Sequence, residues 1–440
     1  MSGLEELTRE ELIAIILGLQ DKVAELEAEV GRLRSQLPGG GAKVVPDWVK
    51  LNRKERREAE RKKRQQSFVR RRDIPTETHL HAVESCPECG RELSGGWVHR
   101  RRQVIEIPDT PVRIIEHVII ARRCGVCGKR YVPKVDLSGQ VVGKHRVGIR
   151  LMSLIGHLYV DCRLPARAVQ GLLETLYGLH IGIGEITEVL HTLAERGQRA
   201  YEELLEEIRG SPSVNADETG WRQDGLNGYI WSFSTPMVRY FVYNRSRSGN
   251  VPKEVLGESF EGVVVSDFYS GYSVLETLHQ RCWAHLLRDL RALVEANAED
   301  RSAASLVDQI ANVYRRAKAF THPDVRKRHA KRLEFEEELL SLALPYVKCE
   351  VPQRVLSERI VRFLSELFVF VENPAVPSEN NAAERAIRPA VIARKVSGGT
   401  RSEKGSETRM TLMSLFHTWK LRGLNPMRAC TKMLVNSHTA

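Results

Sequence analysis

The hydrophobic positions of the first 37 residues follow a seven-residue repeat. One heptad position carries only leucine and the other carries branched apolar residues: Leu12, Leu19, Leu26 and Leu33, and Ile16, Val23, Val30 and Leu37. Branched residues at position a with leucine at position d favour a parallel two-stranded coiled coil. We therefore predict that residues 1–37 join copies of the chain, and the alternative is an amphipathic helix packed on its own domain.

A helical period returns between residues 140 and 210. Two helices are predicted at about 164–173 and 185–193, separated by a glycine-bearing turn at 177–184. Helix, turn and helix is the order of a helix-turn-helix motif, whose second helix enters the major groove of DNA. An ordinary helical hairpin has the same pattern and is the alternative.

From residue 211 the apolar runs shorten to strand length. Strands are predicted at 213–217, 228–235, 237–243 and 262–267, with a helix at 251–257 before the last of them. This order fits the mixed sheet of an RNase H-like domain. We predict that the sheet domain covers 211–395, that a helical insertion occupies about 283–375, and that residues 396–440 form a C-terminal helical segment. The predicted fold class is multidomain α+β.

Three acidic residues belong to this predicted sheet domain. Asp267 ends the buried strand that begins at Val263, Asp217 lies in the first strand, and Glu384 lies near the start of a later helix. A carboxylate at the tip of a buried strand costs desolvation energy unless a cation neutralises it, and carboxylates are suitable ligands for Mg²⁺ or Mn²⁺. We therefore predict that the three carboxylates meet around divalent metal. Strand alternation points the neighbouring Glu218 away from the Asp217 side.

The residues next to Glu384 add candidate contacts. Asn380 and Asn381 precede it by four and three residues, so all three share one helix face. The two asparagines either orient the glutamate or touch DNA. Arg385 and Arg388 follow, and we predict that they bind DNA phosphates.

The spacing of the cysteines predicts a second metal site. The chain holds two Cys-x-x-Cys knuckles, each followed by glycine: Cys86 with Cys89, and Cys124 with Cys127. Four thiolates suit one tetrahedral Zn²⁺ of the structural type, which leaves no open position for chemistry. Apolar segments at 103–107 and 113–120 predict a β-hairpin between the knuckles, so residues 83–135 are predicted to form a zinc ribbon. A redox pair or unliganded buried cysteines are the alternatives.

The net charge of the chain indicates the class of partner that it binds. The 440 residues carry a formal charge of +11, with a pI of about 9.3, and this favours a polyanion. Residues 38–82 form a basic linker that either lies along phosphates or is a solvated connector. No apolar run approaches the roughly 20 residues of a membrane helix, and no signal-peptide pattern opens the chain. We expect a cytoplasmic protein with reduced or metal-bound cysteines.

Four short motifs stand out from the rest of the chain. They are Asp217-Glu218-Thr219 with Trp221, Ser266-Asp267 with Tyr269-Ser270-Gly271-Tyr272, Cys282-Trp283-Ala284-His285, and Asn380-Asn381-Ala382-Ala383-Glu384-Arg385 followed by Arg388-Pro389. Together they resemble the large transposase of the IS66 family of insertion sequences, a DDE-type enzyme. The predicted order of coiled coil, zinc ribbon, helix-turn-helix and catalytic domain is also similar, so the resemblance covers nearly the whole chain.

The resemblance implies an activity and partners. It implies cutting of element ends and strand transfer to target DNA by two-metal-ion phosphoryl transfer, with Asp217, Asp267 and Glu384 as the Mg²⁺ or Mn²⁺ ligands. It also implies a Cys-x-x-His element, in which His285 contacts the scissile phosphate or a flipped base; a core histidine is the alternative. The expected partners are double-stranded DNA of the element ends and target, further copies of the chain and accessory proteins of the element, at the nucleoid of a prokaryotic cell.

A second function of a different class explains part of the same sequence. A non-catalytic DNA-binding repressor derived from a transposase accounts for the basic charge, the predicted zinc ribbon and the predicted helix-turn-helix. Only the enzyme requires all three acidic residues.

Overall fold

The computed structural model describes Lys22, residues 74–105 and residues 112–436. The predicted coiled coil, apart from Lys22, and most of the predicted basic linker lie outside the described residues. The chain divides into two units, residues 1–108 and 109–440, and each is described by itself.

The described part of the first unit contains the first cysteine knuckle and little regular structure. An isolated antiparallel bridge joins Ser85 to Glu92 across the knuckle. The predicted strand at 103–107 is described only as far as residue 105, and that part is not a strand. Val104 and Ile105 are 77% and 80% exposed, so no buried face holds this segment in a sheet.

The second unit begins with a similar departure from the predicted hairpin. Residues 112–121 contain no strand, and Ile114 is 87% exposed. Two short antiparallel strands, β1 (Arg122–Arg123) and β2 (Arg130–Tyr131), instead flank the second cysteine knuckle. The prediction of a hairpin between the knuckles is therefore wrong for the residues described, because alternating apolar side chains form a strand only where another surface covers one face.

Four helices follow, and they include the two that the sequence predicts. They are α1 (Ile149–Val160), α2 (Ala166–Tyr177), α3 (Ile183–Arg196) and α4 (Gln198–Arg209). Gly178 ends α2 in the left-handed region, with a φ of 59°, which a residue with a side chain adopts only at a cost. Buried residues of α2 and α3, such as Val169 and Val189, belong to the main hydrophobic core.

A five-stranded mixed sheet is the centre of the second unit. Its strands are β3 (Ser213–Gln223), β4 (Leu226–Ser234), β5 (Arg239–Asn244), β6 (Val263–Ser266) and β7 (Leu278–Arg281), with α5 (Asn250–Leu256) between β5 and β6. The spatial order is β5-β4-β3-β6-β7. The β3–β4 and β4–β5 pairs are antiparallel, whereas β6 pairs in parallel with both β3 and β7. The predicted mixed sheet is confirmed.

Strand β3 is longer than the sequence predicts. Its second half is polar, yet it pairs with β4 as far as Gln223. The connecting residues Asp224 and Gly225 both have positive φ, 52° and 76°, which is the geometry of a tight turn that matches the twist of a hairpin.

Helices fill the chain between β7 and the helix that carries Glu384. They are α6 (Trp283–Ala296), α7 (Arg301–Ala319), α8 (Val325–Ala343), α9 (Arg354–Arg362) and α10 (Val369–Glu372). Their buried side chains form a hydrophobic cluster of their own around Trp283 and Phe368, so this insertion has its own core. The chain then returns to the sheet through α11 (Asn381–Ser397), α12 (Glu403–Leu421) and α13 (Pro426–Asn436).

Within residues 74–105 and 112–436, no helix is both long enough and apolar enough to cross a bilayer.

Candidate active site

Asp217 in β3 and Asp267, the residue directly after β6, lie level with each other at neighbouring parallel strands. In the pairing of β3 with β6, Asn215 lies opposite Val265. Asp217 and Asp267 each follow these partners by two residues. Because the strands run in the same direction, both carboxylates lie at the same edge of the sheet, on the same side of the pleat.

Asn380 brings the third acidic residue to this edge. The Asn215 Nδ2 donates to Asn380 Oδ1 at 2.9 Å, and Asn380 Nδ2 donates to the carbonyl oxygen of Ala216 at 2.7 Å. Asn380 is the N-cap of α11, and Glu384 lies one helical turn further on. The start of α11 is therefore fastened beside Asp217.

Burial decides between the two roles predicted for Asn380. Only 1% of the residue is exposed, and its side-chain amide is used within the protein as both donor and acceptor. A DNA contact by this side chain is at odds with that burial. The geometry favours the other role, orientation of Glu384 through the start of α11.

The remaining predicted contacts on α11 differ in exposure. Asn381 Nδ2 donates to Glu379 Oε2 at 2.5 Å, and Glu379 also pairs with Lys318 of the insertion at 2.5 Å. The Asn381 amide thus belongs to a network that joins α11 to the insertion. Arg385 and Arg388 are exposed and lie one turn apart, so DNA phosphates can reach both guanidinium groups.

Asp217 shows the strongest electrostatic perturbation of the site. Burial, followed by the negative charges of Glu218, Asp267 and Glu384, raises the pKa of Asp217 from 3.8 to about 7, against a lowering by the backbone N–H of Glu218. That N–H donates to Asp217 Oδ1 at 2.9 Å. Carboxylates that are desolvated and repel one another gain most from a shared cation.

The donor chemistry fits a hard divalent cation, but the spacing is not that of a formed metal site. Across residues 74–105 and 112–436, no group of three or more His, Cys, Asp or Glu side chains stands close enough to hold a metal ion. The carboxylate of Glu384 instead lies 3.6 Å from His285 Nε2 and 3.8 Å from Arg288 Nη2. In this position the negative charge of Glu384 still raises the pKa of Asp217.

The Cys-x-x-His motif fixes the position of His285. The backbone N–H of Cys282 donates to the carbonyl oxygen of Ser266 at 2.9 Å, and Cys282 Sγ accepts from the backbone N–H of Asn380 at 3.1 Å. The buried cysteine therefore ties β6, α6 and α11 together. Three residues later, His285 faces Glu384, and its Nδ1 is buried with no hydrogen-bond partner among the described residues. This position is at the acidic site rather than in a core.

Arg281, a fully buried arginine at the end of β7, is a further residue of this region that was not predicted from the sequence. Its Nε donates to Glu366 of the insertion at 2.6 Å. Its Nη1 donates to the carbonyl oxygen of Asp267 at 2.9 Å, and its Nη2 donates to Ser273 at 2.9 Å. One guanidinium thus holds the backbone of Asp267 against the insertion. The available signal was a charged residue directly before the Cys282–His285 motif.

Glu218, which strand alternation predicts to point away from Asp217, is bound by Arg247 and Tyr272. Its Oε1 accepts from Arg247 Nη2 at 2.7 Å, and its Oε2 accepts from the hydroxyl of Tyr272 at 2.6 Å. With both carboxylate oxygens occupied and a side chain 3% exposed, Glu218 is a poor candidate for a metal ligand.

The two cysteine knuckles share one backbone geometry. In each, the first cysteine donates its N–H to the residue five positions on and accepts at its carbonyl from the glycine, with all four distances between 2.8 and 2.9 Å. Gly90 and Gly128 have φ of 72° and 68°. Backbone amides directed at the sulfur lower the pKa of Cys86 and of Cys124, which favours the thiolate that zinc requires. Each knuckle by itself therefore fits two ligands of a zinc site.

The exposed face of α3 bears on the predicted helix-turn-helix. It carries Thr187, Glu188 and Glu195 and no exposed lysine or arginine. Glu185 at its start is paired with Arg146 at 2.6 Å. Acidic side chains on a groove-facing helix repel DNA phosphates, so this face favours the alternative, an ordinary helical hairpin.

Comparison with known proteins gives the family. The family described as "Transposase IS66 family" matches residues 144–408, more than half of the chain. Similar proteins of Sinorhizobium fredii include "Uncharacterized protein y4jO", 32% identical over 165 residues (37% of this chain and 49% of that protein), and "Uncharacterized protein y4qI", 25% identical over 262 residues (51% and 47%). The chain spans about half the length of the curated relatives it matches. On the extent of the family match, the chain belongs to the IS66 family of transposases.

Proposed function

We propose that this chain is a metal-dependent DDE transposase, which cuts the ends of an insertion sequence and transfers the strands to target DNA. The observation that carries the proposal is the desolvated carboxylate of Asp217, level with Asp267 on the next strand and within reach of the charge of Glu384. Membership of the IS66 family supports the same activity. The order of three antiparallel strands followed by parallel ones supports an RNase H-like core.

Asp217, Asp267 and Glu384 are the residues that would hold Mg²⁺ or Mn²⁺. When bound, such ions activate the attacking oxygen and stabilise the leaving oxygen of an in-line displacement at phosphorus. The protein's own part is to hold the carboxylates in place. Asn380 fixes the start of α11 and Arg281 fixes the backbone of Asp267, so two of the ligands are held from outside the site.

Cationic side chains around the carboxylates complete the proposed site. Arg288 of α6 lies beside Glu384, and Arg385 and Arg388 extend from α11, the helix that carries Glu384. In this proposal they attract and orient the DNA phosphates. A cation held by the three carboxylates would compete with His285 and Arg288 for Glu384, and both groups would then be free to face the scissile phosphate.

The rest of the chain serves assembly in this proposal. Residues 1–37 join copies of the chain as a coiled coil. The knuckles at Cys86 and Cys124 bind structural Zn²⁺ in a ribbon over residues 83–135. The expected partners are double-stranded DNA, further copies of this chain and accessory proteins of the element.

Nicking of labelled DNA that carries an end of the encoding element tests the proposal. In Mg²⁺, we expect the wild-type chain to nick the DNA, and we expect Asp267→Asn, Asp217→Asn and Glu384→Gln to lose at least about 100-fold in rate. Asp224→Asn, in an exposed turn, is the matched control for loss of one carboxylate and should cut like the wild type. Equal nicking by wild type and Asp267→Asn would exclude the enzyme. DNA binding without nicking by any protein would favour the repressor.

A further inference from the structure

A cavity of about 340 Å³ borders the loop that directly follows Asp267. It lies between the loop that follows β6 and helix α9 of the insertion, and its lining includes Phe268, Ser270, Val355, Arg359, Arg362 and Phe363. Phe268 is the residue after Asp267, so their Cα atoms are about 3.8 Å apart. The volume is at the low end of the range for small-ligand sites, so it suits one nucleotide rather than a duplex.

The lining combines aromatic rings with guanidinium groups. Phe268 and Phe363 meet edge to face, with ring centroids 5.5 Å apart. The guanidinium of Arg359 lies over the Phe268 ring at 5.3 Å, and that of Arg362 lies over the Phe363 ring at 5.1 Å. Aromatic rings and guanidinium planes are the surfaces on which unpaired bases stack, and guanidinium groups also bind phosphate.

The two arginines differ in what holds them. Arg359 is anchored by Asp289 at 2.5 Å. Arg362 is exposed and forms no ion pair with any described residue, so its charge is available to a ligand. The lining also contains Glu358, which is 3.7 Å from Arg354 outside the cavity. The positive charge at the cavity therefore exceeds the negative charge that faces it.

Arg281 links this cavity to the acidic site. Its guanidinium lies over the Phe363 ring at 4.8 Å, while its Nη1 donates to the carbonyl oxygen of Asp267. The aromatic floor of the cavity and the backbone of the proposed metal ligand are thus held by one buried side chain.

We propose that the cavity binds one unpaired nucleotide of the DNA strand that enters the active site, with its base stacked on the exposed guanidinium of Arg362, which lies over the Phe363 ring, and with the edge of the base toward Phe268 and Arg359. This inference rests on the proposed function, because it takes the strand at Asp267 to be DNA. It predicts a preference for single-stranded DNA that depends on the bases. Duplex DNA, whose bases are paired, does not use the cavity.

Fluorescence anisotropy of the full-length chain with three labelled probes tests this proposal. The probes are a short oligo(dT), an abasic strand of the same length, and a blunt duplex of the same length. We expect the wild type to bind oligo(dT) about 10-fold more tightly than the abasic strand, because stacking of one base accounts for a factor of that order. Equal affinity for oligo(dT) and the abasic strand would overturn the proposal.

Two substitutions at exposed positions locate the effect. Arg362→Gln removes the free charge, and Val355→Glu adds a negative charge at a lining position that is 60% exposed. Each is expected to weaken oligo(dT) binding about 10-fold and to leave duplex binding nearly unchanged. Arg326→Gln, at an exposed position of α8 away from the cavity, is the matched control and should change neither. Equal losses for Arg362→Gln and Arg326→Gln on all probes would overturn the proposal, because they would indicate bulk charge alone.

The nucleotide proposal and the proposed function fail in different ways. Nicking that is lost in Asp267→Asn, together with equal binding of oligo(dT) and the abasic strand, overturns the cavity proposal alone. A base-dependent preference that Arg362→Gln removes, in a chain that does not nick DNA, supports the cavity proposal and overturns the proposed function alone.

Discussion

Replacing Asp217 with asparagine is expected to stabilise the metal-free protein at neutral and higher pH. The substitution keeps the shape of the side chain and removes the charge that burial and the neighbouring carboxylates disfavour. A residue chosen for catalysis commonly costs stability, and its neutral replacement recovers that cost. The effect should depend on pH in a way that identifies Asp217.

The pKa of Asp217 gives the sign and size of the effect. It is raised from 3.8 to about 7 in the folded protein, so between these values the folded state holds a proton that the unfolded state has released. Wild-type stability therefore falls as the pH rises through this window, and the loss is complete above the folded pKa. One pKa unit corresponds to about 1.4 kcal/mol, so the full change in the free energy of unfolding is at most about 4 kcal/mol. Solvent at this partly buried site reduces that value.

Unfolding of wild type and Asp217→Asn in urea, without divalent metal, measures the difference. Near pH 4 the two proteins should differ by less than about 1 kcal/mol, and near pH 8 the variant should be more stable by a few kcal/mol. Added Mg²⁺ should stabilise the wild type at the higher pH but not the variant. Asp224→Asn is the control for removal of one carboxylate. The reasoning would be refuted if, as the pH rises, the stability of the wild type relative to Asp217→Asn stayed level or increased.

Three further changes test other parts of the molecule. Arg281→Met should lower the free energy of unfolding in urea by about 3–5 kcal/mol, because it leaves Glu366 unpaired. A double variant that also carries Glu366→Leu should regain stability but not nicking. Full nicking by either variant would contradict the role of Arg281 in positioning Asp267. Removal of zinc should speed hydrogen exchange over residues 83–135 and leave β3 and β6 protected, whereas purified protein without zinc on metal analysis would contradict the ribbon. Deletion of residues 1–37 should lower the mass from light scattering, and an unchanged mass would exclude that segment as the joining element.

Elements with a strong apolar period were predictable from the sequence. The three consecutive valines at 263–265 predict β6, and the structure has a strand from Val263 to Ser266. The helices on either side of residues 177–184 and the mixed character of the sheet were also predicted and are confirmed. In these segments the local pattern and the final burial agree.

The departures arise where contacts outside the segment itself decide the outcome. The second half of β3 is polar, and it is a strand because the Asp224–Gly225 turn returns β4 onto it. The segment 113–120 has a strand-like pattern, but none of the described residues covers it. Asn380 is buried because it bridges Asn215 and Ala216. The exposure of the segment 113–120 and the burial of Asn380 have no local signal in the sequence, whereas Asp224-Gly225 is a short-range hairpin signal that the apolar pattern alone does not reveal.

Arg281 shows the same limit at the site itself. An isolated arginine in a strand carries no indication of its partners, and these include Glu366, which lies 85 residues away in the chain. The acidic residues were better candidates from the sequence because each stands at the end of, or beside, an apolar element whose pairing can be anticipated.

The position of Mn²⁺ in crystals of the full-length chain tests the central claim most directly. Anomalous scattering at the manganese edge should place density between the carboxylates of Asp217 and Asp267, with Glu384 turned from His285 toward the ion and metal–oxygen distances of about 2.1 Å. Manganese bound elsewhere, or Glu384 still paired with His285 and Arg288 while Asp217 and Asp267 hold no ion, would contradict the account.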